Sequence, residues 1–230
     1  MTRIAFCLTC YEQVDPWSER GFLDLAIAFG RMHKDIEVVP FVRDGLPCAD
    51  ACNLLMDDVA EYERAQDWRF DRVFWMDDDV VLTTEDLPKL LAAVDTEHPA
   101  VFALAFLRTA PHRAAIWRYA PTPTAEGMVG RAVLEYVSEY PADSLIPIHC
   151  AGLCAALLDR AVFDKLEQPY FAWLEGGYQR SPCTPDGYLC AKLVGASVPL
   201  FCHTGVRTKH IGLPQIVDEA FAMRHREGWV

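Results

Sequence analysis

The sequence contains none of the short motifs that mark several large classes of nucleotide-binding and hydrolytic enzymes. No GxGxxG follows the first apolar segment, and GxxxxGK(S/T), GxSxG and HExxH do not occur anywhere in the 230 residues. Each of these motifs supplies its class with a phosphate cradle, a nucleophile or a metal site. Their absence argues against a dehydrogenase, a P-loop NTPase, a serine hydrolase and a zincin protease.

Paired cysteine motifs are also scarce, although the chain has nine cysteines. Cys7-Leu8-Thr9-Cys10 is the single CxxC, it falls within a predicted strand, and no HxxxH accompanies it. A structural zinc site needs four such ligands with suitable spacing, so the sequence disfavours one. Reduced and mostly buried thiols in a cytosolic protein are the expected alternative.

The sequence also has few basic residues and no long apolar run. The chain has 33 acidic residues against 21 lysines and arginines, a net charge of -12, which argues against a broad basic face for nucleic acid or anionic membrane. No apolar run approaches the roughly 20 residues of a transmembrane helix. The first residues enter a strand without a signal-peptide pattern. We therefore expect a cytoplasmic protein with no membrane span, and nothing implies a protein partner.

The first 107 residues alternate between predicted strands and helices. Apolar runs predict strands over 3–10, 36–42, 72–76 and 100–107. Helical spacing predicts helices from Pro16 to about His33, over 48–65, and after a cap at Thr83 or Thr84. Such alternation is typical of a parallel α/β sheet. The length and even composition indicate one domain over 1–230, with a regular half (1–107) and a loop-rich half (108–230).

The second half has a different texture. Residues 108–148 are proline-rich with short alternating segments, and 168–187 combine aromatics with glycine and proline. Long loops of this kind are usually functional. The pattern also predicts strands over 153–158 and 198–201, a short helix at 160–166, and helices over 187–194 and 214–226.

Three consecutive acids, Asp77, Asp78 and Asp79, stand at the end of the predicted strand over 72–76. Apolar residues flank them on both sides, whereas a solvated acidic turn normally lies in a polar loop. Ligands in open α/β sheets bind at the carboxyl ends of the strands. Adjacent carboxylates attract hard divalent cations. The pattern therefore indicates that Mg²⁺ or Mn²⁺ is held against a phosphate-bearing substrate.

Several segments, in order, resemble the GT-A fold nucleotide-sugar glycosyltransferases. The resemblance covers about two-thirds of the chain and leaves 108–148 unplaced. Cys52 stands where that family often has an arginine, and Pro185 where it often has a glutamate. The matching segments are 7–11, Ala51-Cys52-Asn53-Leu54, 74–80, Ala151-Gly152-Leu153, 184–193 and Lys209-His210-Ile211-Gly212.

The resemblance implies a role for each matching residue. It makes Asp79, Asp77 and His210 the metal ligands, with Mn²⁺ or Mg²⁺ as cofactor, and Asp186 the catalytic base of an inverting transfer. The implied donor is a nucleotide-diphospho-sugar, most often a UDP-sugar. The implied donor-binding residues are Thr9, Cys10, Tyr11, Asn53, Asp77, Asp78 and Gly152. Aromatic and acidic residues upstream of Asp186 are the predicted acceptor-binding set: Trp173, Glu175 and Tyr178.

Alternatives stay open for several of these roles. His203 is the rival of His210, Glu175 is the next candidate base, and Asp186 could simply cap a helix. Two basic residues of the late segment, Arg207 and Lys209, could pair with phosphate or remain solvated. A nucleotidyltransferase and an inactive nucleotide- or glycan-binding module are the alternative functions.

The acceptor is open as well. A glycan, a protein side chain, a small molecule and a hydroxylated DNA base are all compatible with the sequence. The acidic net charge weighs mildly against DNA. A basic cluster in the second half weighs mildly for an anionic acceptor: Arg108, His112, Arg113 and Arg118.

Overall fold

The computed structural model describes residues 1–10, 16–109, 111–120, 133–174, 184–212 and 215–219. The strands are β1 (Thr2–Thr9), β2 (Ile36–Arg43), β3 (Arg72–Asp77), β4 (Val80–Val81), β5 (Ala100–Leu104), β6 (Ile116–Ala120), β7 (Val133–Tyr136), β8 (Leu145–Ile148), β9 (Cys150–Ala151), β10 (Ala155–Asp159), β11 (Leu200–Arg207), β12 (Lys209–Gly212) and β13 (Gln215–Val217). The helices are α1 (Pro16–Met32), α2 (Cys48–Gln66), α3 (Asp86–Ala93) and α4 (Pro185–Gly195), with a 3₁₀ helix at Arg160–Lys165.

In the described part of the chain, a seven-stranded sheet runs in the order β2-β1-β3-β10-β5-β11-β8. Strands β2, β1 and β3 pair in parallel, as do β5 and β11. Strand β10 enters antiparallel between β3 and β5, and β8 adds an antiparallel edge. The expected fold class, a Rossmann-like α/β sheet that is mostly parallel and flanked by helices, is confirmed.

The side chains of the central strands alternate between two apolar layers, because successive residues of a strand point to opposite faces. Phe6 and Phe74 pack with α1 and α3 on one face. Cys7 and Trp75 pack with α2 and α4 on the other. The near-continuous burial of β1 and β3 follows from this double covering. None of the described helices is both long enough and apolar enough to cross a membrane.

Two small sheets extend the fold beyond the central one. Strand β12 lies between β4 and β13, and β6 lies between β7 and β9, all antiparallel. The first small sheet joins the segment after the three aspartates to the segment around His210. Strands β6 and β7 of the second lie in the region 108–148, and β9 lies just beyond it.

Three sequence-based predictions of local structure were wrong. Helix α3 has Glu85 at its N-cap, and Thr83 instead donates its hydroxyl to Asp86 Oδ2 at 2.6 Å. Within the helix predicted over 214–226, Gln215–Val217 form a strand instead, because pairing with β12 satisfies that backbone, and residues 214 and 220–226 lie outside the described residues. The strand predicted at 198–201 starts at Leu200 and continues to Arg207. In the last two cases, pairing with distant strands overrides the local pattern.

Candidate functional site

The three aspartates lie at the carboxyl end of β3, as predicted. Asp77 ends the strand, and Thr9, at the end of the neighbouring β1, donates its hydroxyl to Asp77 Oδ1 at 3.2 Å. The backbone N–H of Asp78 donates to the carbonyl of Thr9 at 3.1 Å, and the thiol of Cys10 contacts the Asp78 carboxylate. Thr9, Cys10 and the first two aspartates therefore form one packed corner of the sheet edge.

His210 reaches Asp79 because β4 and β12 pair directly after the acidic turn. His210 is the register partner of Val80, and the N–H of Ile211 donates to the carbonyl of Asp79 at 2.6 Å. This pairing places His210 Nε2 3.2 Å from Asp79 Oδ1. On its other side, His210 Nδ1 donates to the carbonyl of Phe106 at 3.0 Å. The imidazole is thus held from both ends and directed at Asp79.

Arg108 contacts the second oxygen of Asp79. Its Nη1 lies 2.8 Å from Asp79 Oδ2, and its side chain remains more than half exposed. The sequence showed Arg108 only as part of a basic cluster, and this contact was not predicted. One signal was available, since Arg108 follows β5 and the carboxyl ends of parallel strands meet at one sheet edge.

Asp186 lies in the first turn of α4, beside the turn after β9. Thr184 is the N-cap of this helix, and its hydroxyl accepts the N–H of Gly187 at 3.3 Å. The Asp186 carboxylate instead accepts backbone N–H groups, including that of Leu153. A Cβ built on Gly152 would lie 3.9 Å from Asp186 Oδ2. The helix-cap explanation for Asp186 is therefore wrong, and its carboxylate faces the glycine turn.

We call Asp77, Asp79, Asp186 and His210 together the acidic site. Burial raises the pKa of Asp77 well above its ordinary value, and the charges of Asp186 and Asp79 raise it further. Burial also raises the pKa of Asp186. Burial lowers the pKa of His210, but the hydrogen bond and charge of Asp79 outweigh this and raise it overall. The negative charges of Asp77 and Asp186 are therefore incompletely compensated.

Carboxylates and imidazole, the donor types of the acidic site, are ligands that divalent cations accept. In the described ranges, no three or more His, Cys, Asp or Glu side chains are grouped so that they could hold a metal ion. Mg²⁺, however, usually takes only one or two carboxylates together with substrate phosphates and water. Metal-binding histidines commonly donate their second nitrogen to a backbone carbonyl, as His210 does to Phe106. A cation would also relieve the repulsion that raises the pKa of Asp77.

Asn53, a predicted donor-binding residue, uses its whole side chain within the protein. Its Nδ2 donates to the carbonyls of Ala49 and Phe171, both at 2.8 Å. Its Oδ1 accepts the N–H groups of Tyr170 and Phe171. Asn53 therefore ties α2 to the loop around residue 170, and its contact with a donor stays a prediction.

The predicted acceptor-binding set is only partly visible. Trp173 is 53% exposed, which leaves its ring accessible to a ligand. Tyr11, Glu175 and Tyr178 lie outside the described residues. Acceptor binding by this set stays a prediction.

Among the rival residues, His203 and Arg207 make contacts with groups other than Asp79. His203 Nδ1 accepts the N–H of Gly205 at 3.2 Å, and burial lowers the pKa of this histidine. Arg207 pairs with Glu219 at 2.8 Å, and Lys209 is exposed. The structure brings His210, and not His203, to the acidic site.

A group of thiols lines the approach to the acidic site from α2. Cys48 Sγ lies 4.0 Å from Cys52 Sγ. The hydrogen bond from Cys52 lowers the pKa of Cys48, while burial raises that of Cys52. All cysteines in the described residues are free, as the sequence indicated.

Comparison with known proteins supports the fold. No family model matches the chain, and no curated protein matches its sequence. The structure is similar to A197 from STIV, with 16% identity, a TM-score of 0.57, and coverage of 92% of this chain and 86% of that one. This similarity shows a shared fold.

Two weaker structural similarities accompany it. A Drosophila β-1,4-galactosyltransferase 7, solved with manganese, UDP-Gal and xylobiose, gives 10% identity and a TM-score of 0.44 over 99% of this chain and 74% of that one. The inositol-1-phosphate CTP transferase from T. maritima gives 10% identity and a TM-score of 0.41 over 98% and 97%. These scores are too low to support an argument about function.

Proposed function

We propose that this protein is a metal-dependent glycosyltransferase that moves a sugar from a nucleotide-diphospho-sugar to an acceptor hydroxyl with inversion. The observation that carries the proposal is the convergence at one sheet edge of Asp77 and Asp79, His210 directed at Asp79, and Asp186 beside Gly152. The whole chain, 1–230, acts as one domain, with the donor bound by 1–107 and the acceptor by 108–230.

Asp79 and His210 would hold Mn²⁺ or Mg²⁺, and Asp77 would contribute directly or through water. The bound cation supplies charge neutralisation for the departing diphosphate. Carboxylate and imidazole ligands together favour manganese over magnesium. Arg108 contacts Asp79 Oδ2, and its guanidinium would compete with the cation for that oxygen.

The donor would lie along the ends of β1 and β3. Thr9 and Asp78 line this corner with Cys10, and Gly152 would bind the donor sugar through its backbone, beside Asp186. Tyr11 and Asn53 complete the proposed donor set. A UDP-sugar is the proposed donor class.

Asp186 would act as the general base. As the acceptor oxygen forms its bond to the anomeric carbon, the bond from that carbon to the diphosphate oxygen breaks. The nucleoside diphosphate leaves with the bonding electrons, and the hydroxyl proton passes to Asp186. Burial raises the pKa of Asp186, which makes its carboxylate a stronger base than an exposed aspartate.

The proposal is tested by thermal shift with UDP, GDP and CDP, each with and without Mn²⁺. A ligand that binds the native state stabilises it by mass action. We expect UDP with Mn²⁺ to raise the melting temperature more than either alone. A UDP-sugar panel followed by proton NMR then identifies hydrolysis and the anomeric configuration of the product. The absence of any nucleotide-dependent shift contradicts the proposal. Binding without sugar release indicates an inactive binding module instead.

A further inference from the structure

A cavity of about 960 Å³ lies on the second half of the molecule, apart from the residues of the acidic site. It runs between the segment after β5 and the strand β7 with its continuation to residue 140. Its volume is at the upper end of the roughly 300–1,000 Å³ usual for small-molecule sites. We call it the aromatic pocket, and six residues of its lining define it: Phe106, Arg113, Glu135, Tyr136, Glu139 and Tyr140.

The backbone beside one wall of the aromatic pocket contacts the acidic site. The carbonyl of Phe106 accepts the hydrogen bond of His210 Nδ1. Phe106 pairs with Ala114, and the carbonyl of the next residue, Ala115, accepts the N–H of Gly152 at 3.0 Å. Gly152 lies beside Asp186. The same short stretch of backbone therefore contacts the pocket, the histidine and the turn that faces the proposed base.

Tyr136 gives the pocket an aromatic surface held in place by its neighbours. Its ring packs against Trp117 with centroids 5.1 Å apart, and the guanidinium of Arg113 lies 5.2 Å from the ring centroid. The side chain is nevertheless 38% exposed. A fixed and partly exposed ring presents apolar area at low entropic cost to a ligand with an apolar face.

The charges of the lining argue against an anionic ligand. Among the described residues, Arg113 is the one arginine that lines the cavity, against Glu135, Glu139 and Glu219, the last of which pairs with Arg207. Arg113 is already placed over Tyr136, and the nearby Arg118 donates to the carbonyl of Pro147 at 2.6 Å. Carboxylates are acceptors and suit ligands rich in O–H donors. The lining repels phosphates and uronates and suits neutral hydroxyls.

We infer that the aromatic pocket is the acceptor site and that it takes a short, neutral oligosaccharide. Tyr136 stacks on a sugar face while Glu135 and Glu139 accept hydrogen bonds from its hydroxyls. The assignment of the saccharide as an acceptor rests on the proposed function. The binding of the saccharide in the pocket does not depend on it. It replaces the anionic acceptor that the basic cluster in the sequence favoured, since the structure engages Arg108 with Asp79 and Arg118 with Pro147.

The test is saturation-transfer NMR and calorimetry on the full chain, without nucleotide or metal. The neutral probes are cellobiose, lactose and maltotriose, and the anionic probe is digalacturonate. We expect at least one neutral saccharide to bind and digalacturonate to bind more weakly. Tyr136→Ala should weaken binding by about tenfold, and Tyr136→Phe should retain it. Binding of digalacturonate alone, or of no probe, overturns the inference.

Matched variants separate the pocket from the rest of the protein. Glu139→Gln should weaken saccharide binding by roughly three- to tenfold, since it removes a charged acceptor. Glu61→Gln, the same change on the exposed face of α2, should leave it unaltered. Equal effects of the two substitutions contradict the assignment.

UDP binding with Mn²⁺, measured in parallel, distinguishes the two proposals. Saccharide binding without UDP binding refutes glycosyl transfer and supports the pocket. UDP binding without saccharide binding refutes the pocket.

Discussion

The two halves of the molecule use different means to bring polar groups together. In residues 1–107, β1 and β3 run in parallel, so Thr9 and Asp77 meet simply because both strands end at one edge. In the second half, His210 and Asp186 arrive through an antiparallel strand and a helix start, which depend on partners far away in sequence. The parallel strands of the first half place Asp77 and Asp79 at the sheet edge, and the second half places His210 and Asp186 beside them.

The largest expected effect comes from replacing Asp79, which the regular half places at the sheet edge. Asp79→Ala should abolish turnover and Mn²⁺-dependent UDP binding, because Asp79 holds both His210 and Arg108. His210→Ala should weaken Mn²⁺ binding while leaving some activity. Calorimetry measures the binding of Mn²⁺ and UDP by both variants, and steady-state kinetics measure their turnover. Asp35→Ala, before β2 at the opposite end of the strands, is the control. Near-normal turnover of Asp79→Ala at saturating donor refutes the metal site.

Removing the base from the irregular half should have the next largest effect. Positioned proton transfer contributes about 10²–10⁴-fold, so Asp186→Asn should lower kcat by about that factor with little change in UDP affinity. Steady-state kinetics with the identified donor and acceptor measure this. Full activity in Asp186→Asn transfers the role to another group, with Glu175 the next candidate.

Asp186→Asn, which should lower kcat, should not lower the stability of the ligand-free protein. Burial raises the pKa of Asp186 in the folded protein, so the unfolded state releases this proton at lower pH. Folding stability is therefore lost as the pH rises from the pKa of Asp186 in the unfolded chain to its higher pKa in the folded protein. Above that range the buried negative charge of Asp186 is unfavourable. Asp186→Asn should leave the melting temperature of the ligand-free protein equal or higher. Thr184→Ala, which removes the actual cap, should lower it. A loss of stability in Asp186→Asn contradicts this account.

A buried ion pair joins the two halves and allows their connection to be tested. Arg160 donates from Nε and Nη2 to both Glu63 oxygens, at 3.0 and 2.9 Å, and the side chains are only 10% and 11% exposed. Breaking such a pair typically costs about 3–5 kcal/mol. Arg160→Ala should therefore lower the free energy of unfolding by about that amount in urea denaturation.

The control for the ion pair is Arg69→Ala. Arg69 pairs with Asp164 on the surface, where both side chains are about half exposed, and exposed pairs contribute at most about 1 kcal/mol. Similar destabilisation by the two substitutions would contradict a larger contribution of the buried Glu63–Arg160 pair to the stability of the connection between the halves.

The smallest expected effect concerns Arg108, which contacts the acidic site from beyond β5. Its guanidinium competes with a cation for Asp79 Oδ2, and an exposed pair of this kind is worth about 0.2–1 kcal/mol. Arg108→Ala should therefore tighten binding of Mn²⁺ alone by roughly 1.4- to fivefold, measured by electron paramagnetic resonance. Arg118→Ala is the matched control. Unchanged or weaker Mn²⁺ binding in Arg108→Ala contradicts competition.

The regular half was predictable because its signals are local. Apolar runs and helical spacing located β1 to α3 within a few residues, and the acids after Trp75 and Met76 marked the strand end. Local signals failed where pairing decides the conformation. The segment Gln215–Val217 has a helix-like pattern, but its backbone bonds to β12.

The amino-acid sequence by itself determined the α/β class, the acidic strand end and the shortage of positive charge, since these follow from periodicity and composition. Only the tertiary structure decided that His210 meets Asp79, that Thr184 rather than Asp186 caps α4, and that Arg108 occupies the second oxygen of Asp79. It also formed the aromatic pocket from the segments around 106–114 and 134–140. The physical reason is that antiparallel pairing between distant segments depends on mutual packing and backbone hydrogen bonding, which no local pattern encodes.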